Sequence, residues 1–195
     1  MKKKGWIIVA AVVAVVVVWA ISAYNGLASR EEMVVEKWSQ VENQYQRRYD
    51  LIPNVVNTVK GYAKHEKNTL EELTAARAKA TSQQIDVESM SAEQLAAYQR
   101  AQNELGAAMR SSLVAVAEAY PDLKASNNFL ELQAQLEGCE NRIAVARKDF
   151  NQAVRSYNLK VRRFPSNIFA GLFGFDKKAY YEGADEAATA PVVEF

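Results

Sequence analysis

Residues 6–23 read WIIVAAVVAVVVVWAISA, eighteen consecutive positions with one polar side chain, Ser22. At about 1.5 Å per residue, a helix of that run is roughly 27 Å long, close to the hydrocarbon thickness of a bilayer. A helix is the only single segment that satisfies its own backbone in lipid. Solvation by lipid outweighs the small helix-propensity cost of so many valines. Trp6 and Trp19 stand toward the two ends, where indole rings favour the headgroup layer, and Ala23 closes the run. The lysines before it and Ile21-Ser22-Ala23 after it suggest a rival reading, a cleaved signal peptide. The run is longer than a usual signal core, and Ile21 is bulky for a cleavage site. A retained transmembrane helix over 6–23 behind a basic flank at 1–5 is therefore expected. Lys2, Lys3 and Lys4 precede the span, whereas Arg30 and Lys37 beyond it are interleaved with Glu31, Glu32 and Glu36. The positive-inside rule then predicts a cytoplasmic N-terminus and a translocated C-terminal domain. Ala10 and Ala14 form a small-xxx-small pair, which permits helix association in the bilayer.

Beyond the span the chain reads as helix. Only eight glycines and four prolines punctuate 195 residues, and long stretches run without a breaker. Leu27, Val34, Trp38, Val41, Tyr45 and Ile52 share one stripe that continues almost directly from the anchor. Pro53 interrupts it, because proline lacks the amide proton a helix interior needs. The stripe resumes in the same phase as Val56, Val59, Ala63, Leu70 and Leu73 and ends near Ala80. One long kinked helix and a hairpin both fit; two antiparallel helices close a four-segment bundle more evenly. Thr81–Ser91 is polar and reads as a loop, and Ser91 with Gln94 resembles a capping box. A third helix carries Leu95, Tyr98, Leu105, Met109, Leu113 and Val116 and stops at Tyr120-Pro121-Asp122. The fourth and longest runs from Phe129 through Leu136, Ile143, Phe150 and Tyr157 to Phe164, where Pro165 ends it. The fold class expected is all-α: one N-terminal transmembrane helix, then an antiparallel four-helix bundle over 24–165. An apolar segment at 166–181 and a flexible tail at 182–195 follow.

Several runs resemble the bacterial LemA family. They are Tyr24-Asn25-Gly26-Leu27 with Arg30, and Trp38-Ser39-Gln40-Val41-Glu42 leading into Arg47-Arg48-Tyr49-Asp50-Leu51-Ile52-Pro53-Asn54. Val59-Lys60-Gly61-Tyr62-Ala63 with His65-Glu66 follows, then Tyr120-Pro121-Asp122-Leu123-Lys124-Ala125. The last are Leu136-Glu137-Gly138 with Glu140-Asn141-Arg142-Ile143, Tyr157-Asn158 and Phe164-Pro165. The resemblance runs from the anchor to about Tyr181. It implies a helical bundle on a single anchor in the bacterial cytoplasmic (inner) membrane, and it does not imply an enzyme, because the family has no established catalytic residues. Relatives occur near membrane proteases of the HtpX type, and one branch accompanies intracellular membrane compartments.

The side chains available narrow the chemistry. One cysteine and one histidine cannot form an intrachain disulfide or a usual four-ligand zinc site. His65-Glu66-Lys67-Asn68-Thr69 starts like H-E-x-x-H but lacks the second imidazole. No Glu-x-x-His pair supports a di-iron site, and no glycine loop cradles phosphate. No catalytic, cofactor or metal residue is therefore assigned. A net charge of +1 gives no field that would gather nucleic acid. Two clusters stand out. Arg47, Arg48, Asp50, Pro53 and Asn54 would form a corner, read chiefly as a structural clamp and secondarily as an anion site. Ile168, Phe169, Leu172, Phe173 and Phe175, followed by Lys177 and Lys178, would either cap the bundle end or lie in the lipid interface. Near the core stripes, Glu66, Arg77, Glu140 and Arg147 would need partners. Alanines on the third helix permit close approach of another helix, though helix propensity alone accounts for them. The expected protein is a non-enzymatic membrane scaffold. Its partners are the lipid bilayer, further copies of itself as a homo-oligomer, and an envelope protein. The alternative is a tethered sensor or adaptor for an envelope enzyme such as an HtpX-type protease.

Overall fold

The computed structural model describes residues 2–62, 67–83, 85–87 and 89–182. Among the described residues six helices follow one another: α1 Lys2–Tyr62, α2 Lys67–Thr81, α3 Ala92–Ala119, α4 Pro121–Lys124, α5 Asn127–Arg162 and α6 Ser166–Phe173. The described residues contain no strand, so the protein is all-helical.

α1 is 61 residues long, a rod of about 90 Å. Its N-terminal part is one of exposed apolar side chains. An eighteen-residue window there has mean hydropathy 2.7 and is only 6% buried, unlike the core helix of a soluble protein. Burial begins at Ala23 and Leu27 and then follows the stripe Val34, Trp38, Val41, Tyr45, Ile52.

The expected reversal at Pro53 is not there. α1 continues through Pro53 to Tyr62, and the next helix, α2, begins at Lys67. Proline in a helix interior costs about 3 kcal/mol. Pro53 itself lies on the exposed face. On the opposite face Ile52 and Val55 are fully buried, and burying such side chains contributes roughly 1.5–3 kcal/mol each. Burial therefore carries the helix past its breaker.

α5 runs antiparallel to α1 and is its main partner: Glu140 meets Arg48, Phe150 meets Trp38 and Ser156 meets Arg30. α3 rises beside α1, with Tyr98 against Trp38 and the Gln102 carbonyl against Arg48. α2 descends along α3, joined by Lys79–Glu104 at 2.6 Å. The core falls into two clusters. One, nearer the apolar end of α1, is aromatic and holds Trp38, Tyr45, Tyr98, Phe150, Tyr157 and Tyr181. The distal one is mainly aliphatic, with Ile52, Val55, Leu105, Met109, Leu132 and Leu136 among its members. Start and stop signals act as their chemistry dictates. Ser91 and Gln94 form a reciprocal capping box at α3, and Pro121 opens α4 after Tyr120 has ended α3.

Candidate functional site

The residues expected to form a corner at Pro53 do not gather. They occupy successive turns of one helix and point different ways. Arg47 and Asn54 are exposed, and Asp50 accepts a hydrogen bond from Gln46 on the same face. Asn54 borders a concavity lined by amide side chains and Glu131, with no cation to pair an anion. Arg48 is different: its side chain is only 2% exposed. Nη1 donates to the Gln102 carbonyl at 2.7 Å and Nη2 reaches the Glu140 carboxylate at 2.7–2.8 Å. One guanidinium thus joins α1, α3 and α5. A signal for its burial was present, because position 48 lies three residues past Tyr45 and four before Ile52 on the apolar stripe.

Arg147 makes a second cross-helix contact. It donates through Nε and Nη2 to the Tyr45 hydroxyl and through Nη2 to Asn103 Oδ1, and it stacks 4.9 Å above the Tyr181 ring. Arg77 is exposed on α2. His65 and Glu66 lie outside the described residues, as do residues 183–195 of the expected tail. The Cys139 thiol approaches the Gln44 carbonyl at 3.7 Å, and burial raises its pKa, so it packs as a small apolar group.

Beyond α5 the apolar segment divides in two. α6 is short and ends on Gly174, whose φ of +77° suits a residue without a Cβ. It lies beside α1 where the apolar run ends. The Phe173 ring meets Tyr24 edge-on at 5.3 Å, Phe175 meets it at 5.6 Å, and Phe169 stacks on Phe173. Phe173 and Tyr24 also border an open apolar concavity of about 240 Å³ with Val17, Ala20 and Ile21. The other face of this region is bare, with Phe164 and Leu172 each 74% exposed and Ile168 59%.

After Gly174 the chain is extended and climbs back along the bundle as a strap over 175–182. Two asparagines of α5 hold it. Asn158 Nδ2 donates to the Lys178 carbonyl and its Oδ1 accepts from the Lys178 amide, both at 2.9 Å. Asn151 does the same for Tyr181 at 2.9 and 2.8 Å. The spacing explains the match. Seven helical residues advance about 10.5 Å, and three extended residues advance about 10 Å. Lys178 Nζ also pairs with Glu31 at 2.8 Å, the Tyr181 hydroxyl meets that of Tyr45 at 2.7 Å, and Gln99 donates to the Glu182 carbonyl. Nothing local in the sequence marks this strap within the apolar segment at 166–181.

α3 and α5 do not pack closely on each other, and a groove lies between them at the distal end. The groove between them holds about 630 Å³, with Leu113, Val114, Phe129 and Leu136 as apolar lining and Arg110 and Glu137 among its charged residues. A second concavity beside Tyr45, Tyr49 and Tyr98 includes Glu42, whose carboxyl is raised above the usual range by partial burial. Among the described residues no group of three His, Cys, Asp or Glu side chains could hold a metal ion.

Two kinds of relative match this chain. Protein LemA of Metamycoplasma hominis is 25% identical over 161 residues, 83% of this chain and 69% of that protein. Magnetosome proteins MamQ 2 and MamQ 1 of Paramagnetospirillum magneticum are each 31% identical over 81 residues, 42% of this chain. The chain spans only 29% of the length of those magnetosome proteins. Residues 37–195 match the LemA family, from the start of the aromatic core on α1 to the C-terminal residue. A match over that much of the sequence means that this chain belongs to the LemA family.

Proposed function

We propose that the protein is a non-enzymatic scaffold on a bacterial cytoplasmic membrane. Its N-terminus is cytoplasmic, residues 6–23 cross the bilayer, and the translocated bundle self-associates. The observation that carries this reading is the unbroken course of α1 from its bare apolar run into the buried core. The helix that meets lipid is the same helix on which the bundle is built. Membership of the LemA family and likeness to magnetosome proteins support a role at a membrane structure.

The α3–α5 groove is the self-association face in this reading. Residues of both charge signs line it, Arg110 and Lys124 with Glu118 and Glu137. An isologous contact sets such a lip against a copy of itself, where unlike charges can meet. Val114, 55% exposed, stands there with little cover.

Full-length protein expressed in bacteria should resist carbonate extraction. It should sediment in mild detergent as an assembly that Val114→Glu dissociates without loss of helicity. Release into the carbonate supernatant would overturn the anchor. A monomer across a wide concentration range would overturn self-association.

A further inference from the structure

The foot of the bundle poses a physical problem. Phe164, Ile168 and Leu172 recur every four residues around the end of α5 and along α6, and all three point away from protein. Large apolar side chains grouped in this way are costly to leave in water. Their surroundings indicate what covers them. On its inner face, α6 seats Phe173 against Tyr24, and Phe173 borders an open apolar concavity with Val17, Ala20 and Ile21. Those three residues belong to the run that crosses the bilayer in the reading above. α6 therefore lies at the depth where α1 leaves the hydrocarbon, and its bare face adjoins the same lipid.

Nearby charges suit that depth. Arg162, Arg163 and Lys177 are exposed around α6, with Asp176 as the acid beside them. Their long side chains can extend to headgroup phosphates while apolar neighbours sit below. The bundle-cap alternative would need the bare residues to turn inward, yet the strap that leaves Gly174 climbs away from them and is fixed on Asn158 and Asn151.

We propose that α6 and Phe164 insert into the boundary between headgroups and acyl chains, as a second contact of the bundle with the bilayer that α1 crosses. The proposal rests on α1 as the span. Leu172 is 74% exposed, so a label there reports lipid with little disturbance of the fold.

The test uses the full chain in a Cys139→Ala background, reconstituted in vesicles of phosphatidylethanolamine and phosphatidylglycerol. Leu172→Cys, Val114→Cys and Val13→Cys carry an environment-sensitive nitrobenzoxadiazole label, and lipids bear a nitroxide near the headgroup or deep in the acyl chain. The expected result is headgroup-level quenching at Leu172→Cys at least about threefold stronger than at Val114→Cys, with deep quenching at Val13→Cys. Quenching at Leu172→Cys no stronger than at Val114→Cys, with deep quenching at Val13→Cys retained, would overturn the insertion of α6 alone. Loss of deep quenching at Val13→Cys would overturn the span and this inference with it.

Discussion

The contact between Arg48 and Glu140 predicts an asymmetry that most buried ion pairs would not show. Arg48 is almost wholly buried, whereas Glu140 is 28% exposed and has a second cation, Arg110, at 3.8 Å. Truncation of Glu140 to alanine leaves a buried guanidinium with the Gln102 carbonyl as its remaining acceptor. Removal of one partner of a buried pair costs about 3–5 kcal/mol. Water reaches the carboxylate side of this pair, so about 3 kcal/mol is the appropriate figure. Arg48→Met keeps most of the volume, removes the buried charge and leaves a carboxylate that Arg110 and water can serve, at a cost of about 1–2 kcal/mol. The double variant Arg48→Met/Glu140→Leu has no stranded charge and should lie within about 1 kcal/mol of the parent, because an apolar replacement of a buried pair is often neutral. Urea unfolding of the full chain in mild detergent, followed by the fluorescence of buried Trp38, measures all three. With a slope of about 2 kcal/mol/M, Glu140→Ala should lower the midpoint by about 1.5 M and the double variant by less than about 0.5 M. Equal costs for the two single variants, or a double variant that simply adds them, would refute the reasoning.

Three further outcomes follow from the same structure. Asn151→Asp keeps the acceptor for the Tyr181 amide but turns a carboxylate toward the Tyr181 carbonyl. It should release the strap, cost about 2 kcal/mol, and expose 175–182 to limited proteolysis while helicity by circular dichroism holds. Gly106 lies in the interior of α3, where a Cβ would meet the Arg48 guanidinium at 3.4 Å, an ordinary contact. Gly106→Ala should therefore stabilise by up to about 1 kcal/mol, read as a higher urea midpoint. Burial raises the pKa values of Tyr49, Tyr98, Tyr157 and Tyr181, and the charges of Glu31 and Asp176 add to the rise at Tyr157. Above about pH 10 the unfolded chain has released phenol protons that the folded chain still holds. Stability should stay level below about pH 10 and fall as pH climbs past it, with tyrosinate absorbance at 295 nm appearing together with loss of helicity.

Much of the architecture was legible because it is written locally. The apolar run at 6–23, the stripes of α3 and α5, the Ser91–Gln94 capping box and the Tyr120-Pro121 stop each depend on residues a turn or two apart, and short-range periodicity exposes them. Features settled by long-range packing were harder to read. Pro53 is a breaker by its own chemistry, and only the burial of Ile52 and Val55 in the distal core carries α1 past it. Arg48 was grouped with Arg47 and Asp50 by adjacency, although its phase matched the core, and its partner lies 92 positions away. The strap was invisible because two asparagine amides 20 and 30 positions back fix it. An asparagine on a helix carries no local sign that it will bond an extended backbone.

The continuity of α1 also bears on how such a protein can work. A bundle on a flexible linker samples many orientations, and contact with a neighbour must repay that lost freedom. Here no linker intervenes. α1 passes from the apolar run into the core as one helix, and Gly26, where a small residue could loosen it, is covered by the Lys160 side chain from α5. α5 braces α1 from Arg30 to Arg48 through Ser156, Phe150, Arg147 and Glu140. The direction of the bundle is thus set by the direction of the helix below it. Copies side by side in one bilayer would present their α3–α5 grooves at one height and with little freedom to lose. In the scaffold proposed above, that favours lateral association over capture of a ligand from solution. The contrast is measurable: insertion of a Gly-Gly-Ser-Gly-Gly segment after Ala23 should leave the bundle folded and membrane-bound yet weaken self-association at least about tenfold. Unchanged association would show that rigid coupling through α1 plays no part.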